Sequence, residues 1–91
     1  VHTLLADFSQ VTDAARAVSR IIASGIVPAA LEMMDNATIQ AVEASIYAAG
    51  YPVDAAAILL CEVDGPAEGL DEDVSIIREA CMANGARAVR V

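Results

Sequence analysis

Four short apolar stretches read as strands, and apolar residues recur at helical spacing in three longer ones. The two kinds of stretch take turns along the chain, and Gly or Pro punctuates most of the joins. These observations predict an α/β (α+β) fold in β-α-β-α-β-α-β order. The expected architecture is a two-layer sandwich, a four-stranded antiparallel sheet with its helices mainly on one face.

Residues 1–8 read as the first strand, with Leu4, Ala6 and Phe8 on one face and Thr3, Leu5 and Asp7 on the other. Ser9 is placed to cap the first helix, and Asp13 sits near its positive N-terminal end. Val11, Ala14, Ala15, Val18, Ile21 and Ile22 recur at helical spacing and predict its apolar stripe. Asp13, Arg16, Ser19 and Arg20 take the wet side, and Gly25 stops the helix.

Residues 29–34 form the second predicted strand, with Pro28 confined to its start or to a sheet edge. Asp35 and Asn36 are both good N-caps for a second helix, predicted over residues 36–49. Ile39, Val42, Ile46 and Ala49 make its stripe, and Gly50 ends it. A short turn at residues 51–54 follows.

Residues 55–63 are the third strand, and their apolar run suggests a central position. Ala57, Leu59, Cys61 and Val63 share one face; Ile58, Leu60 and Glu62 share the other. After the break at Asp64-Gly65-Pro66, a third helix runs to about Ala83, with Leu70, Val74, Ile77, Ala80 and Cys81 inward. Glu68, Asp71, Glu72 and Asp73 crowd its first half, where the helix dipole favours anions. A cation cluster is one reading of them; a solvated acidic face is the simpler one. Asn84-Gly85 closes the helix. Residues 87–91 form a fourth strand whose arginines suit an edge.

Two β-α-β units, residues 1–34 and 55–91, give a ferredoxin-like arrangement with an extra linking helix. Right-handed crossovers place the first and third helices on the same sheet face. The opposite face is then open, or covered by another part of a longer protein. Leu5, Asp7, Glu32, Met34, Ile58, Leu60 and Glu62 fall on it. Leu31 and Met33 should enter the core under the helices.

Ninety-one residues suit one domain, which buries roughly 60–65% of its unfolded surface. The content is 57% hydrophobic but only 3% aromatic, so the core is aliphatic and built from small side chains. The net charge is −8, and all five basic residues are Arg. Phosphate repels such a surface, which argues against nucleic acid and against anionic membrane. Cys61 and Cys81 are too far apart for a Cys-x-x-Cys pair and read as buried reduced thiols. His2 is the only histidine, so no His-rich metal site can be built from this chain alone. Neither a signal-peptide pattern nor a long apolar span occurs, and a cytoplasmic location is expected. Strand-like text reaches both ends, which predicts a domain cut from a longer protein.

Three stretches carry a resemblance. They are Thr3-Leu4-Leu5-Ala6 with residues 14–18; residues 21–35, ending Leu31-Glu32-Met33-Met34-Asp35; and residues 50–65. In this order and register the chain resembles the FAD-linked glycolate oxidase family, within the vanillyl-alcohol oxidase type of flavoproteins. The similar part is the C-terminal, substrate-side (cap) domain of the large flavin-bearing subunit. The resemblance implies an FAD-dependent oxidoreductase of 2-hydroxy acids such as glycolate or D-lactate. It implies that an upstream domain of the same polypeptide binds FAD, and that a sheet of the cap domain covers the flavin. It also implies other oxidase subunits as candidate partners. The family's Gly-rich FAD-binding segment and His-rich segment do not occur in residues 1–91. No catalytic, cofactor-binding or metal residue is therefore assigned here, and residues 1–91 alone are expected to be inactive and FAD-free. Glu32, Met34 and Glu62 are the candidates for the substrate-side face.

Two other classes of function compete. One is a stand-alone ferredoxin-like module that binds a small metabolite; native ends at Val1 and Val91 in the cell would favour it. The other is an interaction domain that self-associates through its open sheet face, with Leu5, Met34, Ile58 and Leu60 as the apolar strip. Sedimentation at several concentrations separates that reading from a monomer.

Overall fold

The computed structural model describes residues 2–91; Val1, where the first predicted strand begins, and the side chains of Ala67 and Glu68 lie outside the description. Seven elements follow in order: β1 (His2–Phe8), α1 (Val11–Ala23), β2 (Ala30–Asp35), α2 (Asn36–Glu43), β3 (Ala57–Val63), α3 (Ala67–Ala83) and β4 (Ala86–Arg90). The strands form one sheet in the order β2-β3-β1-β4, every neighbouring pair antiparallel. This is the predicted order of elements and the predicted sheet type. The apolar β3 is central and the arginine-bearing β4 is an edge, as its composition implied.

The larger core lies between the sheet and helices α1 and α3. Leu4, Ala6 and Phe8 of β1 and Ala57, Leu59, Cys61 and Val63 of β3 enter it, with Ala14, Ala17 and Ile21 from α1 and Ile77, Ala80 and Cys81 from α3. Strand alternation produces this: Leu4 stands opposite Cys61, Ala6 opposite Leu59 and Phe8 opposite Ala57, so one face receives every second residue of both strands. Both cysteines are buried and free.

Several local expectations are corrected. Ser9 does not cap α1. The N-cap is Gln10, in extended conformation and without a side-chain cap bond. The stripe of α1 is rotated toward Ala14, Ala17 and Ile21, with Val18 half-buried, while Ala15 is exposed and Ile22 is 62% exposed. The small Ala17 lets the helix approach the sheet where a larger residue would hold it off. Gly25 does end the helix, at φ +86°, a conformation that a side chain would strain. Met33 lies on the helix side of β2, opposite Leu59, yet is 44% exposed, because β2 is an edge that α1 covers only in part.

Helix α2 stops at Glu43 rather than Ala49, and Ile46 and Ala49 are exposed. Side chains end it. Ser45 Oγ donates to the Val42 carbonyl at 2.6 Å and accepts from Tyr47 N–H at 3.0 Å. The Glu43 carboxylate accepts from the N–H groups of Ala49 and Gly50 at 2.8 and 2.9 Å. These bonds offer the backbone an alternative to another helical turn. The start of α2 is as expected: Asp35 is the N-cap and accepts from Thr38 N–H at 2.9 Å.

The face opposite α1 and α3 is not fully open. Ile39 of α2 packs on Leu5, Met34, Ala55 and Ile58, with Val42, Tyr51 and Leu60 partly buried around them. The linking helix thus covers one end of that face, over β2 and β3.

Candidate functional site: the part-open sheet face

The register sets out this face row by row. One row runs Glu32, Leu60, Leu5 and Arg90 across β2, β3, β1 and β4. With strands about 4.8 Å apart, the acid and the arginine stand roughly 14 Å apart at the two edges. A second row holds Ala30, Glu62 and Thr3. The third holds Met34, Ile58, Asp7 and Ala88, and its β2–β3 half is the part beneath α2.

The three predicted face residues separate here. Glu32 and Glu62 are exposed. Met34 shares their face but is only 8% exposed, and packs among Leu5, Ile39 and Ile58. It supports the surface from below. Burial of either carboxylate without a partner would be costly, which is why both fall away from the helix-covered core.

Sequence reasoning missed the two arginines of β4 as members of this face. The pairing of β4 with β1 shifts between Asp7, which faces Ala88, and Phe8, which faces Ala86, so Arg87 is the extra residue of a bulge. A bulge re-aims a side chain. Arg87 Nε donates to Asp7 Oδ1 at 2.7 Å, and its terminal nitrogens donate to both Asp54 oxygens at 3.1 Å. Asp54, then Asp7, holds the guanidinium in its charged form, while Arg87 pulls the Asp54 carboxyl below its usual range. Arg90, in contrast, is exposed beside Leu5 with no ion pair among the described residues. The spacing of Arg87 and Arg90 carried no sign of this division. It depends on the bulge, which only the pairing defines.

A dinucleotide needs backbone N–H groups or free cations around its diphosphate. The described residues build no such cradle. The positive-φ glycines, Gly25, Gly50, Gly65 and Gly85, are dispersed, and Arg87 is already neutralised. What they offer is a flat, partly apolar surface. Nor do three metal-ligating side chains come together among the described residues. A cavity of about 200 Å³ lies between the helices on the other side of the sheet and is lined by Arg20, Ser24, Ile76, Glu79 and Ala80. No described helix is long and apolar enough to cross a membrane.

Over 90 residues the chain is 51% identical to the protein called glycolate oxidase subunit GlcD of Escherichia coli (strain K12), covering 99% of this chain and 18% of that protein. It is 42% identical over 88 residues to the protein of the same name from Bacillus subtilis (strain 168), covering 97% of this chain and 18% of the relative. The chain therefore spans less than a fifth of the length of the curated relatives it matches. The model of the FAD linked oxidases, C-terminal domain, matches residues 1–91. The chain belongs to the FAD linked oxidase C-terminal domain family.

Proposed function

We propose that residues 1–91 are part of the C-terminal, substrate-side domain of an FAD-dependent oxidoreductase acting on a small 2-hydroxy acid, glycolate or a D-lactate-like acid. The observation that carries this reading is the 51% identity to a glycolate oxidase subunit over 90 residues. FAD, bound mainly by another domain of the same polypeptide, supplies the redox chemistry. This chain provides a cover. The half-buried Leu60 is the apolar part of the surface left beside α2, with Leu5 buried next to it, and Glu32, Glu62 and Arg90 mark its charged margins. A 2-hydroxy acid is an anion, so a carboxylate in direct contact would repel it. At least one of Glu32 and Glu62 therefore belongs at the rim of the substrate site or against an arginine elsewhere in the polypeptide, with Met34 packed beneath. Further oxidase subunits are candidate partners. The cytoplasm is the compartment we assign, a reading supported by two free thiols.

The test uses the full-length protein. Glu32→Gln and Glu62→Gln should retain FAD and lose turnover of glycolate or D-lactate. Normal turnover and normal FAD content in both variants would reduce this face to scaffold.

A further inference from the structure

The connection between α2 and β3 is unusual for a surface segment. Residues 44–53 contain no charged side chain. Ile46 is 92% exposed, Tyr47 77% and Val53 52%. Exposed apolar side chains in a loop are ordinary when the loop is loose. This one is tied at three points by side chains. The Glu43 carboxylate holds Ala49 and Gly50. Asn36 Nδ2 donates to the carbonyls of Val53 and Ala55 at 2.8 and 2.7 Å. Arg87 holds Asp54 from β4. Gly50, at φ +79°, supplies the reversal that lets the chain return. The clamps order the segment before anything binds, which lowers the entropic cost of association.

We propose that Ile46 and Tyr47 form a preorganised docking knob that inserts into an uncharged, apolar recess on another part of the same polypeptide. One observation selects that occupant: the curated relatives are more than five times as long as this chain, so most of such a polypeptide lies elsewhere. A second copy is an outcome of the test. The side chains set the chemistry of the recess. A branched aliphatic group and a phenol with no charged neighbour between residues 44 and 53 call for apolar walls and one hydrogen-bond acceptor for the Tyr47 hydroxyl. The inference rests on the longer polypeptide of the proposed function but not on its chemistry.

The experiment is maleimide labelling of Ile46→Cys in the full-length protein. Cys61 and Cys81 are buried, and peptide-level mass spectrometry reads the adduct at position 46 apart from any other cysteine of the polypeptide. A covered knob labels at least about tenfold more slowly in the native protein than after denaturation, because only opened molecules react. Hydroxyl-radical footprinting of the unsubstituted full-length protein gives a second readout, because the amides of residues 44–50 are already bonded within the chain; the Ile46 and Tyr47 side chains should oxidise far more slowly in the native protein than after denaturation. Equal labelling rates, or equal oxidation rates, in the native and denatured protein overturn the proposal. Protection that vanishes on dilution assigns the knob to a second copy and also overturns it. Neither readout depends on turnover, so its failure is distinguishable from failure of the proposed function.

Discussion

Arg87 donates through both terminal nitrogens to the two carboxylate oxygens of Asp54, at 3.1 Å each, from positions 33 residues apart. The pair ties the loop before β3 to an edge strand, and Asp7 of β1 completes the bridge. Both members of the pair are solvent-accessible, so the direct electrostatic gain is modest and screened by salt. Arg87→Met should lower the melting temperature slightly in dilute buffer, and the difference from the parent should shrink in about 1 M salt. A difference that survives high salt undiminished means that the aliphatic stem, not the charge, carries the effect.

Acid should act through the same pair and through the cap of α2. Asp54 is held below its ordinary value of 3.8 by the hydrogen bond from Arg87 and then by its charge. Asp35 is held below the same value by the backbone N–H of Thr38 and then by its hydroxyl. A carboxylate whose native pKa is depressed stabilises the fold fully above its unfolded pKa. That contribution is lost as the pH falls through the native value. Stability should therefore be level near neutrality and decline below about pH 4. Arg87→Met should make the decline shallower. Denaturant melts across that range check the sign.

The Asp35 cap makes a separate prediction. Asp35→Ala leaves an orphan N–H at Thr38, whereas Asp35→Asn retains an acceptor and caps almost as well. The Ala variant should melt several degrees lower and the Asn variant close to the parent. Equal losses in both would show that the charge at the helix start, rather than the hydrogen bond, is what counts.

Core packing distinguishes neighbouring residues on one helix. Ile21 is fully buried and Ile22 mostly exposed. Ile21→Ala should cost ~2–5 kcal/mol, while Ile22→Ser should stay within about 0.5 kcal/mol of the parent. Leu59→Ala, at the centre of the sheet, belongs with the first and should also cost ~2–5 kcal/mol. A large loss in both variants would restore the stripe read from spacing, which included Ile21 and Ile22 alike.

Both thiols should be silent in the native protein. Burial pushes the Cys81 thiol up to about 11, with Cys61 nearby adding to the effect, and raises Cys61 in the same direction. Thiol reagents react with the thiolate and need access to it. At mildly alkaline pH, neither cysteine should react until denaturant unfolds the chain. Rapid modification of one equivalent under native conditions would contradict the burial.

Much of this protein was legible in its residues. The strands were read from short apolar stretches, and strand alternation sorted Leu4, Ala6, Leu59 and Cys61 onto one face. The family text around Leu31-Glu32-Met33-Met34-Asp35 led to the family. Asp35 also announced the start of α2 through local chemistry, a side-chain acceptor next to free backbone donors. Other features were decided by contacts between residues distant in sequence. Spacing put Ala15 and Ile22 in the stripe of α1, and the approach to the sheet turned inward the small Ala17 instead. Spacing carried α2 on to Ala49, but Glu43 reached forward and closed the loop. Arg87 and Arg90 looked alike as edge-strand arginines until the bulge against β1 bound one to Asp7 and Asp54 and left the other exposed beside Leu5. Local periodicity fixes which way a side chain faces along its own element. Which neighbour it meets depends on register and packing, and these exist only once the sheet has formed.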